Sequence, residues 1–317
     1  MSHDEMYSNQ VSAPADIEAT LAAIYQAAKD YDGGAVADYI PALAAIDANQ
    51  YALSVATLDG RCYAFGAHET PFSIQSISKI FGLVMAMERL GDDLWQRVRM
   101  EPSGQAFNSI VQLEWEQGIP RNPMINAGAI LVSDVLVSHY STSKSAVLNM
   151  VRRLAHNDHI CSDEQVYLSE LEHGSRNSAL AYLMKSFGNI ESDVSEALDH
   201  YFWQCSLAMT SSDLARSLTF LANGGVDPLS GQQLCSKRDT QRINALLGTS
   251  GMYDQSGQFA FEVGLPAKSG VGGGIVAIVP SFGVICAWSP RLNSFGNSSR
   301  GMWMVREIAS KLGLSVY

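Results

Sequence analysis

The feature that most narrows what this chain can fold into is the stretch from Ser73 to Leu90, SIQSISKIFGLVMAMERL. Its apolar residues, Ile77, Ile80, Phe81, Leu83, Val84, Met85, Met87 and Leu90, fall on nearly every side of a helix. The pattern predicts a helix buried all round, which needs a large core to surround it. At its mouth stand Ser76 and Lys79, three residues apart and therefore on one helix face. A lysine in a poorly solvated site loses affinity for its proton, and the neutral amine then accepts the proton of a serine hydroxyl. The seryl oxygen becomes a nucleophile. S-x-x-K alone does not decide for catalysis. A second one, Ser141 to Lys144, lies in the polar run HYSTSKSAVLNMV, where Ser141 or Ser143 reads as a helix N-cap.

The 317 residues suffice for the core that the helix demands. A hydrophobic content of 47% with 17% charged residues excludes disordered and fibrous classes. The net charge of −11 argues against nucleic acid or an anionic membrane as partner, leaving small molecules. The apolar runs are too short and too broken by glycine to span a bilayer. Cys62, Cys161, Cys205, Cys235 and Cys286 form no C-x-x-C pair. An odd count, with the polar and acidic start MSHDEMYSNQVSAPAD in place of a secretory leader, predicts reduced thiols and a cytoplasmic protein. The histidines show no H-E-x-x-H or similar spacing, so neither metal nor cofactor is expected.

Along the chain, residues 1–14 read as loose. Asp16 to Tyr31 reads as an amphipathic helix capped by Asp16. Tyr51 to Leu58, Asp59-Gly60 and Arg61 to Phe65 spell a hairpin, and GGGIVAIVP with GVICAWSP spells a second near the end. SRGMWMVREIASKLG closes the chain as an amphipathic helix, and the long middle reads as mostly helical. The expected fold is therefore α+β: one antiparallel sheet from the two terminal hairpins, covered by the terminal helices, with a helical lobe inserted. In residue terms, a single domain over 15–317 divides into a sheet lobe, about 15–75 and 255–317, and a helical lobe, about 76–254. A site would lie in the groove between them. GVGGG at 270–274 lacks the G-x-G-x-x-G spacing of a phosphate cradle, and its glycines are expected to let backbone approach a ligand.

Three elements stand in the order used by serine enzymes of the penicillin-binding and β-lactamase type, S-x-x-K, then S-D-N-like, then K-T-G. Here they are Ser76 to Lys79, Ser175-Arg176-Asn177 and Lys268-Ser269-Gly270. Backbone N–H groups of Ser76 and near Val271 would form an oxyanion hole. The reaction class is acyl transfer through a seryl ester.

Longer motifs, PFSIQSISK, EPSGQAFN, NPMINAGAI, SELEHGSRN, TFLANGG, GMYDQSGQFAFEVGLPAKSGVGGGI and WSPRLNSFGNS, closely resemble the serine-dependent glutaminases of the β-lactamase-like superfamily. The resemblance runs from about Asp16 to near the C-terminus and is to the short bacterial form. It implies hydrolysis of L-glutamine to glutamate and ammonia, with Ser76 as nucleophile and Lys79 as general base. It further implies active-site roles for Tyr39 and Tyr253, and substrate contacts at Gln75, Asn126, Glu170, Asn177, Tyr201 and Val271. Leu171 and Ser175 stand where relatives often carry charged residues, and neither matches a contact. A homodimer or homotetramer is implied too. The substrate, a zwitterion with a reactive carboxamide, needs a carboxylate for its ammonium, which Glu170 supplies, and neutral donors for its carboxylate. Glu170 also reads as a solvated helix-end acid, Tyr201 as packing between Phe202 and Trp203, and Asn126 as a turn residue. Lys268 is expected in the site framework without a defined role. Two rivals are a penicillin-recognising hydrolase, disfavoured by the missing export signal, and a non-enzymatic binding protein on a retained fold.

Overall fold

The computed structural model describes residues 17–104 and 109–317, so the expected loose start and the Asp16 cap lie outside the described residues. Helix α1 (Ile17–Ala27) buries Ile17, Leu21 and Ile24, the spacing of one helix face. Both expected hairpins form and join edge to edge. Strands β1 (Ala52–Thr57), β2 (Cys62–Gly66), β3 (Ala267–Ser269), β4 (Gly274–Val279) and β5 (Gly283–Trp288) make one antiparallel sheet in the order β2-β1-β5-β4-β3. Val55 pairs with Ile285 and Ala277 with Ile285 in turn, so residues from both ends of the sequence share each row.

Every residue of β1, β4 and β5 is buried, because both sheet faces are covered. Successive side chains of a strand point to opposite faces. Leu53, Val55, Ile275, Ala277, Ile285 and Ala287 accordingly join α1 and the closing helix, α8 (Ser299–Leu312), in one core. Ala52, Ala56, Val276, Ile278, Val284 and Trp288 join the other core, which is made with the helices of the middle of the chain.

Those helices include α2 (Lys79–Leu90), α3 (Asn126–His139), α4 (Glu164–His173), α5 (Ser175–Ser186), α6 (Val194–Cys205) and α7 (Lys237–Ser250). Helix α2 is buried from Lys79 to Met87 and lies against α3, as its pattern requires. The middle holds more strand than expected: Phe72–Ser73, Leu207–Met209 and Cys161–Ser162 form a small antiparallel sheet. The expected helical run through VSEALDHYFWQCSLAMTSSDLARS breaks there, because Thr210 and Asp213 build a capping box that starts a new helix at Ser211. Neither Ser141 nor Ser143 caps the helix Ser143–Ala155; Thr142 holds that position, and Lys144 pairs with Asp199 at 2.6 Å.

The glycines of 270–274 approach backbone rather than open space. A Cβ on Gly270 would stand 2.5 Å from the Ile74 carbonyl, and one on Gly272 2.1 Å from that of Ser73. They let the end of the sheet press directly on the chain that enters Ser76. Gly128 does the same for α3, since a Cβ there would lie 2.0 Å from the Asn122 carbonyl. Gly128→Ala is therefore expected to destabilise the fold by about 1–3 kcal/mol through overpacking, read as a lower denaturant midpoint with unchanged slope.

Candidate active site

A cavity of about 360 Å³ opens where the helices meet the end of the sheet, and Ser76 lies in its wall. Ser76 belongs to a 3₁₀ turn, Gln75–Ser78, that runs straight into α2. Residues i and i+3 eclipse in such a turn, which keeps Ser76 and Lys79 on one side. Gln75, just ahead, has a φ of 50°, a conformation disfavoured for a side chain of its size. It is held there by burial and by a chain of bonds: Gln75 Nε2 donates to Ser73 Oγ at 2.9 Å, and Ser73 Oγ donates to the Cys205 carbonyl at 3.0 Å. Strained backbone of this kind gathers at functional sites.

Lys79 does not line the cavity; it is buried at 1% exposure and reaches the cavity wall only through Asn126. Its Nζ donates to the Met124 carbonyl and to Asn126 Oδ1, both at 2.9 Å. Burial lowers this amine from the ordinary lysine value to about 8, the nearby Cys205 opposing the shift. A neutral amine has two N–H groups and one lone pair. With both N–H groups engaged, the lone pair is the function left to use. Neither bond goes to Ser76, whose hydroxyl instead faces that of Tyr253. Burial pushes the Tyr253 phenol up to about 12, so it stays protonated near neutrality. Tyr253 also has a left-handed backbone, with φ 52°.

The loop before α3 is shaped by Asn122, fully buried, whose Oδ1 accepts from the N–H groups of Met124 and Ile125 while its Nδ2 donates to the Glu101 carbonyl. This turn aims the Met124 carbonyl at Lys79. Asn126 opens α3, and its Nδ2 donates to Asn177 Oδ1 of α5 at 3.0 Å. One amide thus touches both the buried amine and the far wall.

Glu170, on α4, is 6% exposed, and burial raises its carboxyl above the usual range, against the lowering effect of bonds from Tyr39 and Gln75. The Tyr39 hydroxyl donates to Glu170 Oε1 at 3.1 Å and stands 3.4 Å from Gln75 Oε1. Its own proton is held well above the ordinary tyrosine value by burial of the hydroxyl and then by the Glu170 charge. Tyr201 of α6 packs near Phe202 as expected of an aromatic at helical spacing, yet it also lines the cavity.

All of Tyr39, Gln75, Ser76, Asn126, Glu170, Asn177, Tyr201, Tyr253 and Val271 line this one cavity, although they are drawn from 39 to 271 in the sequence. His173, Gly174, Arg176 and Cys205 line it too and were given no role in the site from sequence. Nor was Asn122, although Asn before Pro is a turn signal that could have drawn notice to it. Among the described residues no cluster of His, Cys, Asp or Glu is placed to hold a metal ion. No helix among them is long and apolar enough to cross a membrane.

A family model described as Glutaminase matches residues 34–317. A glutaminase of Marinomonas sp. (strain MWYL1) is 50% identical over 302 residues, spanning 95% of this chain and 100% of its own. One from Pseudomonas entomophila (strain L48) is 52% identical over 284 residues, 90% of this chain and 93% of its own. Among solved structures, a probable glutaminase, ybaS, superposes with a TM-score of 0.91 at 35% identity, covering 96% of this chain and 99% of that one. Mglu in its glutamate form gives a TM-score of 0.89 at 34% identity, covering 96% of this chain and 70% of that one.

Tyr39→Phe removes a bond that favours the ionised form of Glu170. The Glu170 carboxyl should then titrate higher, as followed by carboxyl-carbon NMR. An unmoved titration would mean that the bond does not form in solution.

Proposed function

The chain belongs to the glutaminase family, and from that premise we propose that it hydrolyses L-glutamine to L-glutamate and ammonia through a covalent glutamyl ester on Ser76. The observation that carries this reading is the desolvated Lys79 amine, with both N–H groups engaged and Ser76 one turn away. The glutamate form of Mglu, a relative of the same fold, supports a ligand of the substrate's shape in such a cleft.

In this scheme glutamine enters with its carboxamide toward Ser76. Its ammonium is neutralised by Glu170 with Tyr39 behind it, and its α-carboxylate takes donors from Asn177, Asn126 and Tyr201. The Ser76 hydroxyl passes its proton toward Lys79, with Tyr253 beside it as the relay, and Oγ attacks the amide carbon. Charge grows on the carbonyl oxygen and is met by the backbone N–H groups of Ser76 and Val271. One such donor is worth about 3–4 kcal/mol of barrier. The tetrahedral adduct collapses as the proton held by Lys79 moves to the leaving nitrogen, which departs as ammonia. Water then attacks the ester, Lys79 takes its proton, and Ser76 leaves with that proton restored. The cycle closes with every proton accounted for.

A cytoplasmic location and a homodimer or homotetramer are part of the same proposal. The five unpaired cysteines support the first, and the exposed Val111 and Trp115, on a short helix packed against α5 and its exposed Tyr182, support the second.

Ser76→Ala should lower ammonia release from glutamine by about four orders of magnitude or more. An electrophilic glutamine analogue should add its mass to the peptide holding Ser76. A label on any other residue would overturn the site. The base must be deprotonated to act, and Lys79 loses its proton at about 8. Below that value kcat/KM should therefore climb about tenfold per pH unit, levelling above it, and the high Tyr253 value should add no alkaline fall before about 12.

A further inference from the structure

Lys268 is a second fully buried lysine, on the edge strand β3, and the scheme above leaves it unused. Its Nζ donates to the Gly251 carbonyl at 3.0 Å and the Ser269 carbonyl at 2.7 Å, and lies 4.6 Å from the centroid of the Tyr253 ring. All three partners are acceptors. Two N–H groups of the amine satisfy the two carbonyls, and the ring face closes over it.

The titratable groups facing Lys268 are Lys79 of α2, Tyr253 of the turn after α7 and Cys205 of α6. The phenol and the thiol are both held protonated by burial, so neither offers a negative charge near neutrality. Burial first, and repulsion from Lys79 second, push Lys268 well below the ordinary lysine range, so its hold on the two carbonyls rests on N–H groups and not on a fixed charge.

The same bonds have a mechanical effect. Gly251 ends α7 and leads through Met252 to Tyr253, and its carbonyl also accepts from the Ser269 N–H at 3.2 Å. The short link that carries Tyr253 in its left-handed conformation is therefore pinned to β3 from two sides.

We propose that Lys268 is a positioning residue of this site: by holding the Gly251 and Ser269 carbonyls under the Tyr253 ring it pins the link from Gly251 to Tyr253 and keeps the Tyr253 hydroxyl at Ser76. This rests on the reading of Ser76 as nucleophile and Lys79 as base. Lys268→Met should lower kcat about a hundredfold with KM changed less than about threefold, and should speed amide hydrogen exchange at Tyr253. In a Tyr253→Phe background the same change should lower kcat by less than about tenfold. An equal loss in both backgrounds, or unchanged exchange at Tyr253, would make Lys268 merely structural and overturn the proposal. If Lys268→Met does not fold, as judged by circular dichroism, Lys268→Gln, which keeps two N–H donors, takes its place in the same paired comparison and should retain more activity than any shorter apolar replacement. Full activity in Ser76→Ala would instead sink the underlying reading and leave the pinning to be judged by the exchange at Tyr253 alone.

Discussion

A lysine amine without water is the constraint on which the rest of this structure depends. Moving an ammonium into a protein interior carries an effective penalty of several kcal/mol, so the group sheds its proton more readily there. The fold keeps Lys79 dry by surrounding α2 with helices on one side and the end of a doubly covered sheet on the other. It also satisfies the amine's N–H groups with the Met124 carbonyl and Asn126, so the neutral form is hydrogen-bonded and not merely tolerated. Remove the sheet end, and water reaches the amine.

That requirement explains where strain is stored. Gln75 and Tyr253, which flank Ser76 from two different segments, both adopt left-handed backbone, at about 1–3 kcal/mol each. Neither would persist in a loose loop. Gln75 is held by the Ser73 relay to Cys205 and by glycines that let the sheet end press on the chain there, and Tyr253 by the link that runs from α7 to β3. The core therefore does two jobs with the same contacts: it excludes solvent from Lys79 and it fixes Ser76 and Tyr253.

How much of this was legible in the sequence follows from how local each signal is. The all-round apolar helix and the two hairpins were legible because their patterns repeat over several residues, and the joining of the hairpins into one α+β sheet followed because each alone leaves a face uncovered. The small sheet through Phe72, Leu207 and Cys161 was not, since two- and three-residue strands have no period to read. The glycines of 270–274 read as a close approach, and the structure adds a protein neighbour that sequence could not name, the carbonyls of Ser73 and Ile74. The family resemblance drew nine cavity residues together. Asn122 and His173 sit inside its motifs and Arg176 inside the S-D-N-like triplet, yet they and Cys205 were given no role, because a single polar residue carries no spacing signal of its own. Lys268 was placed in the framework without a role, since its partners are backbone carbonyls and a ring face, which leave no trace in residue type.

The wall that holds Tyr39 is built differently from the surroundings of Lys79. Ile40 and Leu43 fasten it to Val166 of α4 in a small apolar cluster of their own, apart from the two main cores, and Tyr39 itself is 49% exposed. Segments secured by so little buried surface open locally far more easily than central strands do. That wall is then free to breathe while the Lys79 amine stays dry, so access to the cavity and desolvation of the amine are governed by separate parts of the molecule.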